Sequence, residues 1–103
     1  MGIFEELYGV TLPTCDTVDD HENPLVLAHF TDSIGKYHWY VVAGDELANG
    51  DMNLFCVVKL ITVEFGMCLL SQLNEIGVKY DTEWEPKGMY DVRRQLKKEE
   101  EED

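Results

Sequence analysis

Apolar residues along the chain come in short blocks separated by turn-forming residues. Ile3, Phe4, Leu7 and Tyr8 fall at i, i+1, i+4 and i+5, with Glu5 and Glu6 off that face. The spacing predicts about two turns of helix, stopped by Gly9. After Asn23-Pro24, the run Leu25–Phe30 has strand length, and Tyr37–Ala43 returns as an aromatic and β-branched strand. Thr31–Lys36 carries turn chemistry between them, so the two form a hairpin. Gly44–Glu46 and Ala48–Asp51 read as the next loop, where Asn49-Gly50 is the strongest turn signal in the chain. Leu54–Ile61 is apolar enough for a strand buried on both faces, and Glu64–Leu69 predicts a fourth, short one.

Further on, Ser71 is placed to cap a brief helix, Gln72–Ile76, with Gly77 at the left-handed stop. Val78, Tyr80, Thr82 and Trp84 alternate with Lys79, Asp81, Glu83 and Glu85, the pattern of a half-exposed strand. Beyond Pro86 and Gly88, the positions of Met89, Val92 and Leu96 mark one stripe of a final helix. Arg93, Arg94, Lys97 and Lys98 lie toward its C-terminal end, where cations suit the helix dipole. The order predicts an α+β fold: an antiparallel sheet of four to five strands with short N-terminal, middle and C-terminal helices.

Length and composition set the bounds of that fold. A chain of 103 residues, 45% of them hydrophobic, is long enough for one domain, and at this size about 65% of the unfolded surface is buried. No stretch approaches the roughly 18 apolar residues of a membrane span. Met1–Glu6 has no basic residues ahead of its apolar ones, and the myristoylation motif that Gly2 suggests lacks its Ser or Thr. Cys15, Cys56 and Cys68 are odd in number, widely spaced and without a Cys-x-x-Cys. The expectation is a cytoplasmic protein with three reduced thiols.

Charge changes the picture most. Twenty-one acidic side chains against eight basic ones give −13. Such a balance excludes a default grip on phosphate backbones and disfavours anionic membranes. Glu99–Asp103 supplies five of these charges, leaving −8 for residues 1–98. Residues 1–98 therefore read as a single domain and 99–103 as a disordered acidic tail; Asp16, Asp19, Asp20 and Glu22 mark an acidic loop.

The Trp39 strand followed by Gly44-Asp45, the run Glu64-Phe65-Gly66-Met67-Cys68-Leu69-Leu70-Ser71-Gln72-Leu73, and Gly77–Trp84 together carry a resemblance. Residues 23–87 resemble the bacterial domain-of-unknown-function family numbered 2958. Trp39, Asp45, Glu64, Gly66, Leu70, Leu73 and Asp81 match its pattern. Where that family has a Glu, a strand Gly and an Arg, this chain has Ala43, Cys56 and Tyr80. The resemblance implies a protein encoded on a bacterial mobile element such as a plasmid or phage, and it does not imply any enzymatic activity.

Candidate chemistry is sparse. His21, His29, His38 and the cysteines fit no compact zinc spacing, so partly buried, satisfied histidines are expected, with no metal and no cofactor. Cys56 and Cys68 lie in apolar segments, where a thiol packs as a small hydrophobe. Glu64 and Asp81, both at strand ends within the family-like motifs, are the best carboxylate pair for acid–base work; helix-loop capping or pairing with Lys59 or Lys79 is the structural alternative. No phosphate loop, nucleophile elbow or His-Glu-x-x-His occurs. Aromatics on both faces of the Trp39–Tyr40 strand suggest an exposed aromatic patch ringed by carboxylates; the alternative is that helices cover them.

The expected function is a small acidic, non-enzymatic protein-interaction module. Its candidate contact residues are Trp39, Tyr40, Asp45, Glu64, Asp81 and Trp84. Its partner would be another protein with a basic surface, not nucleic acid or membrane. One alternative is a DNA mimic that occupies the basic groove of a host defence or DNA-binding protein. The other is a small enzyme using Glu64 and Asp81.

Overall fold

The computed structural model describes residues 3–18, 22–60 and 63–102. Gly2, Asp19, Asp20, His21, Ile61 and Asp103 lie outside the described residues. The first helix, α1 (Ile3–Tyr8), buries Phe4 against Phe30, with ring centroids 6.0 Å apart. Gly9 ends it at φ 72° and returns its N–H to the Glu5 carbonyl. A short turn of 3-10 helix follows at Cys15–Thr17.

The predicted hairpin forms, but its first arm is divided. Leu25–Val26 is β1, Ala28–Thr31 is β2, and Leu27 between them donates its N–H to the Val41 carbonyl. Strand β3 (His38–Glu46) pairs with β2 in antiparallel register, His29 opposite Tyr40 and Phe30 opposite Trp39. Asp32 closes the turn: its Oδ1 accepts the N–H groups of Lys36 and Tyr37 at 2.7 and 2.9 Å. β3 runs through Gly44, Asp45 and Glu46, which the sequence places in a loop. A bulge at Val42 shifts the register, so Gly44, Asp45 and Glu46 pair with Leu54, Asn53 and Met52 of β4 (Met52–Lys59). Gly44 sits where a Cβ would meet side-chain carbons of Leu12 and Leu54 at 3.0 Å, so a larger residue there would push those side chains aside.

Strand β5 (Val63–Leu69) pairs with β4 and leads directly into α2 (Leu70–Ile76). Ser71 is not the cap of that helix. Leu69 takes the capping position, Gln72 Oε1 accepts the Leu69 N–H at 3.0 Å, and Asp51 accepts both the N–H and the hydroxyl of Ser71. A carboxylate twenty residues upstream thus caps the helix. Gly77 adopts φ 80° at its end, as anticipated.

The strand predicted over Val78–Trp84 shrinks to β6 (Lys79–Tyr80). Asp81 breaks it by accepting the Glu83 N–H on its own side chain, and the chain turns back. β7 (Lys87–Gly88) pairs with β1, and α3 (Met89–Glu102) follows. The backbone stays helical to Glu102, past Lys98 where the tail was expected to begin. Glutamate is a good helix former, which accounts for continuation beyond the apolar stripe.

The result is an α+β fold: a five-stranded antiparallel sheet in the order β5-β4-β3-β2-β6 and a separate two-stranded ribbon β1-β7. Two cores flank the large sheet. α1 and α2 close one over Phe30, Trp39, Val41, Leu54 and Cys56; α3 closes the other over Tyr40, Val42 and Val57 with Met89, Val92 and Leu96. Among the described residues, no helix is long and apolar enough to cross a membrane.

Candidate functional site

The alternation of β3 sends Trp39 and Tyr40 to opposite faces, and both faces are covered. Each retains 7% of its surface, so the aromatic patch expected on this strand is buried under the helices. Asp45 accepts the Cys15 N–H at 3.0 Å and pins the N-terminal segment to β3. Glu64 is exposed on β5, while Asp81 follows β6. Those two strands are the opposite edges of the sheet. With neighbouring strands about 4.8 Å apart, the two carboxylates stand on the order of 20 Å from each other. The fold does not bring the proposed acid–base pair together.

Tyr40, Asp81 and Trp84 do meet, through two histidines. Asp81 Oδ2 accepts from His29 Nδ1 at 2.9 Å, and His29 Nε2 lies 2.8 Å from His38 Nδ1. The hairpin register explains the second contact, since residues 29, 31, 38 and 40 share a face. The His29 ring stacks on Tyr40 at 4.5 Å and on His38 at 5.1 Å. Trp84 leans on His29 and Tyr40 and donates its indole N–H to the Val26 carbonyl at 2.9 Å. The Lys87 ammonium lies 4.9 Å from the Trp84 ring centre. The hydrogen bond from His29 holds the Asp81 carboxyl below the usual aspartate range, against a smaller opposing effect of burial.

This chain of carboxylate, imidazole and imidazole fixes tautomers: with His29 Nδ1–H on Asp81, its Nε2 accepts from His38 Nδ1–H. It fastens β2, β3 and the turn after β6 to one another. Sequence reasoning treats the two histidines separately. The signal that joins them is the hairpin parity, readable once the turn is centred on Asp32–Lys36. Among the described residues, no group of three or more His, Cys, Asp or Glu is arranged to hold a metal ion.

A cleft of about 370 Å³ lies between α1 and the end of β3, lined by Phe4, Leu12, Met52, Glu5 and Glu46 among others. Among the described residues, no histidine lines it. At the edge of the large sheet, β5 pairs only with β4 among the described strands. Its Phe65 and Met67 are 39% and 51% exposed. Phe65 packs on Phe55 at 5.7 Å, and the Arg93 guanidinium covers its ring at 4.7 Å. This edge is missed by a sequence reading that looks for aromatics in the richest strand. Compared with known protein families, curated proteins and solved structures, the chain matches none of them.

Proposed function

We infer that the chain is a small acidic, non-enzymatic protein-interaction module that works in the cytoplasm and contacts its partner along β5. The observation that carries this reading is the open sheet edge with Phe65 and Met67 exposed beside it. An unpaired strand presents a row of backbone donors and acceptors to which a partner strand can add, and exposed apolar side chains beside it supply anchors. The net charge of −13 favours a partner with a basic surface and steers its approach. Three free cysteines fit a reducing compartment. Encoding on a bacterial mobile element rests on the family resemblance alone.

The test uses immobilised wild-type protein, a Phe65→Glu/Met67→Glu double variant and an Ile34→Glu control in extracts of the bacterial host. Ile34 is 78% exposed on the β2–β3 turn, away from the edge. A protein retained by wild type and control but lost from the double variant supports the reading. Equal retention by all three overturns the assignment of the surface.

A further inference from the structure

Cys56 and Cys68 stand apart from both the relay and the exposed Phe65–Met67 face. Cys56 lies on β4 and Cys68 on β5, and their sulfurs are 3.5 Å apart. In the register, Cys56 faces Gly66 and Leu54 faces Cys68, so the two cysteines are diagonal neighbours on the α2 side of the sheet. Diagonal side chains usually stand too far apart to bridge. Here the residue opposite Cys56 is a glycine, and a Cβ added to it would meet just the Val58 methyl, at 3.5 Å. The space a side chain would fill opposite Cys56 is open to the Cys68 sulfur. Among the described strands, β5 is held by sheet pairing on one side only, so it can make the small shift that a bond of about 2.05 Å requires.

We propose that Cys56 and Cys68 form an oxidisable dithiol, in which the Cys68 sulfur attacks a peroxide and Cys56 resolves the product to an intramolecular disulfide. Cys68 is partly exposed and Cys56 fully buried, which orders the two steps. The two sulfurs share a hydrogen bond, which lowers the pKa of Cys68 and raises that of Cys56; burial raises Cys56 further. Ionisation of the pair therefore falls on the sulfur that peroxide can reach. The Cys68 thiolate attacks one peroxide oxygen, the O–O bond breaks, and hydroxide leaves; sulfur becomes a sulfenic acid. Cys56 sulfur then attacks that sulfur, the S–O bond breaks, and the departing hydroxide leaves as water with the Cys56 proton. In sum, two thiols and one hydrogen peroxide give one disulfide and two waters. Cys15 stands outside the sulfur pair, and burial, then the Asp45 carboxylate, push its thiol up to about 11.

The experiment treats the reduced full chain with hydrogen peroxide, then alkylates it in denaturant and weighs it. The expected result is a monomer lighter by two hydrogens, with Cys15 alone alkylated and full alkylation restored by a thiol reductant. In Cys56→Ser, peroxide should leave a sulfenic acid at Cys68 that dimedone traps; in Cys68→Ser, no cross-link should form. The wild-type mass needs no variant, so a variant that fails to fold leaves the test intact. Three alkylatable thiols after peroxide, dimers linked through Cys15, or accumulation of sulfinic acid at Cys68 in the wild type would each overturn the proposal.

Discussion

His29 Nε2 and His38 Nδ1 face each other at 2.8 Å, so one of these nitrogens must accept and at least one of the rings is neutral while the bond stands. Asp81 secures the arrangement from the other end, on His29 Nδ1. Removing the carboxylate leaves a nearly buried N–H without its acceptor. Asp81→Ala should therefore cost about 1.5 kcal/mol at neutral pH, the low end for a hydrogen bond to a charged group because Asp81 is partly exposed.

The pH dependence of that loss has a definite sign. The folded Asp81 carboxyl titrates below its unfolded value, its bond from His29 being the largest cause. Its stabilisation is thus fully present above the unfolded range near about pH 4 and disappears as pH falls through the folded pKa. Urea denaturation of wild type and Asp81→Ala should show a constant gap at neutral pH that closes in acid. A gap that widens in acid would contradict the assignment.

The two tryptophans should differ. Trp39→Ala empties a core position and should cost about 3–5 kcal/mol. Trp84 is only partly buried, and its replacement should cost about half as much. Single-tryptophan variants check the same ordering by fluorescence: Trp39 in Trp84→Phe should resist acrylamide, while Trp84 in Trp39→Phe should be quenched and red-shifted.

Asp51→Ala should loosen α2 selectively. Ser71 then loses the acceptor of both its N–H and its hydroxyl. Amide exchange should speed up from Ser71 through Leu73 while the β2–β3 hairpin keeps its protection. Uniform loss of protection across the chain would show instead that the contact serves the whole domain.

Deleting Glu99–Asp103 should change stability by less than about 0.5 kcal/mol, since Leu96 is the last buried side chain of α3 among the described residues. Thermal unfolding with and without the five residues decides it. Binding of a basic partner should survive the deletion with steep salt dependence, carried by the remaining −8.

What could be read in advance follows the range of the interactions. The β2–β3 hairpin, the Asn49-Gly50 turn, the Gly9 and Gly77 stops and the Met89–Val92–Leu96 stripe rest on contacts within a few residues, and each is legible. The break at Leu27 depends on β7, about sixty residues away, and the cap on Ser71 depends on Asp51. Trp84 alternates as a strand residue would, yet Asp81 diverts the chain before it can pair. Of the six candidate residues, Tyr40, Asp81 and Trp84 converge, but the link between them is made by His29 and His38. Phe65 and Met67 lie in a strand whose edge position is decided by sheet order, which no local pattern encodes.

The division of one extended segment at Leu27 has a mechanical side. The β1–β7 ribbon, two residues on each strand, leads directly into α3, which also packs on β4 and β5. Force applied across the ribbon's strands would break its few bonds in turn, as in a zipper. β2, clasped between β3 and β6, is loaded in shear by a pull along its length. α3 covers Tyr40, Val42 and Val57, whereas Phe30 and Trp39 lie under α1 and α2, so loss of α3 would bare the first core and leave the second closed.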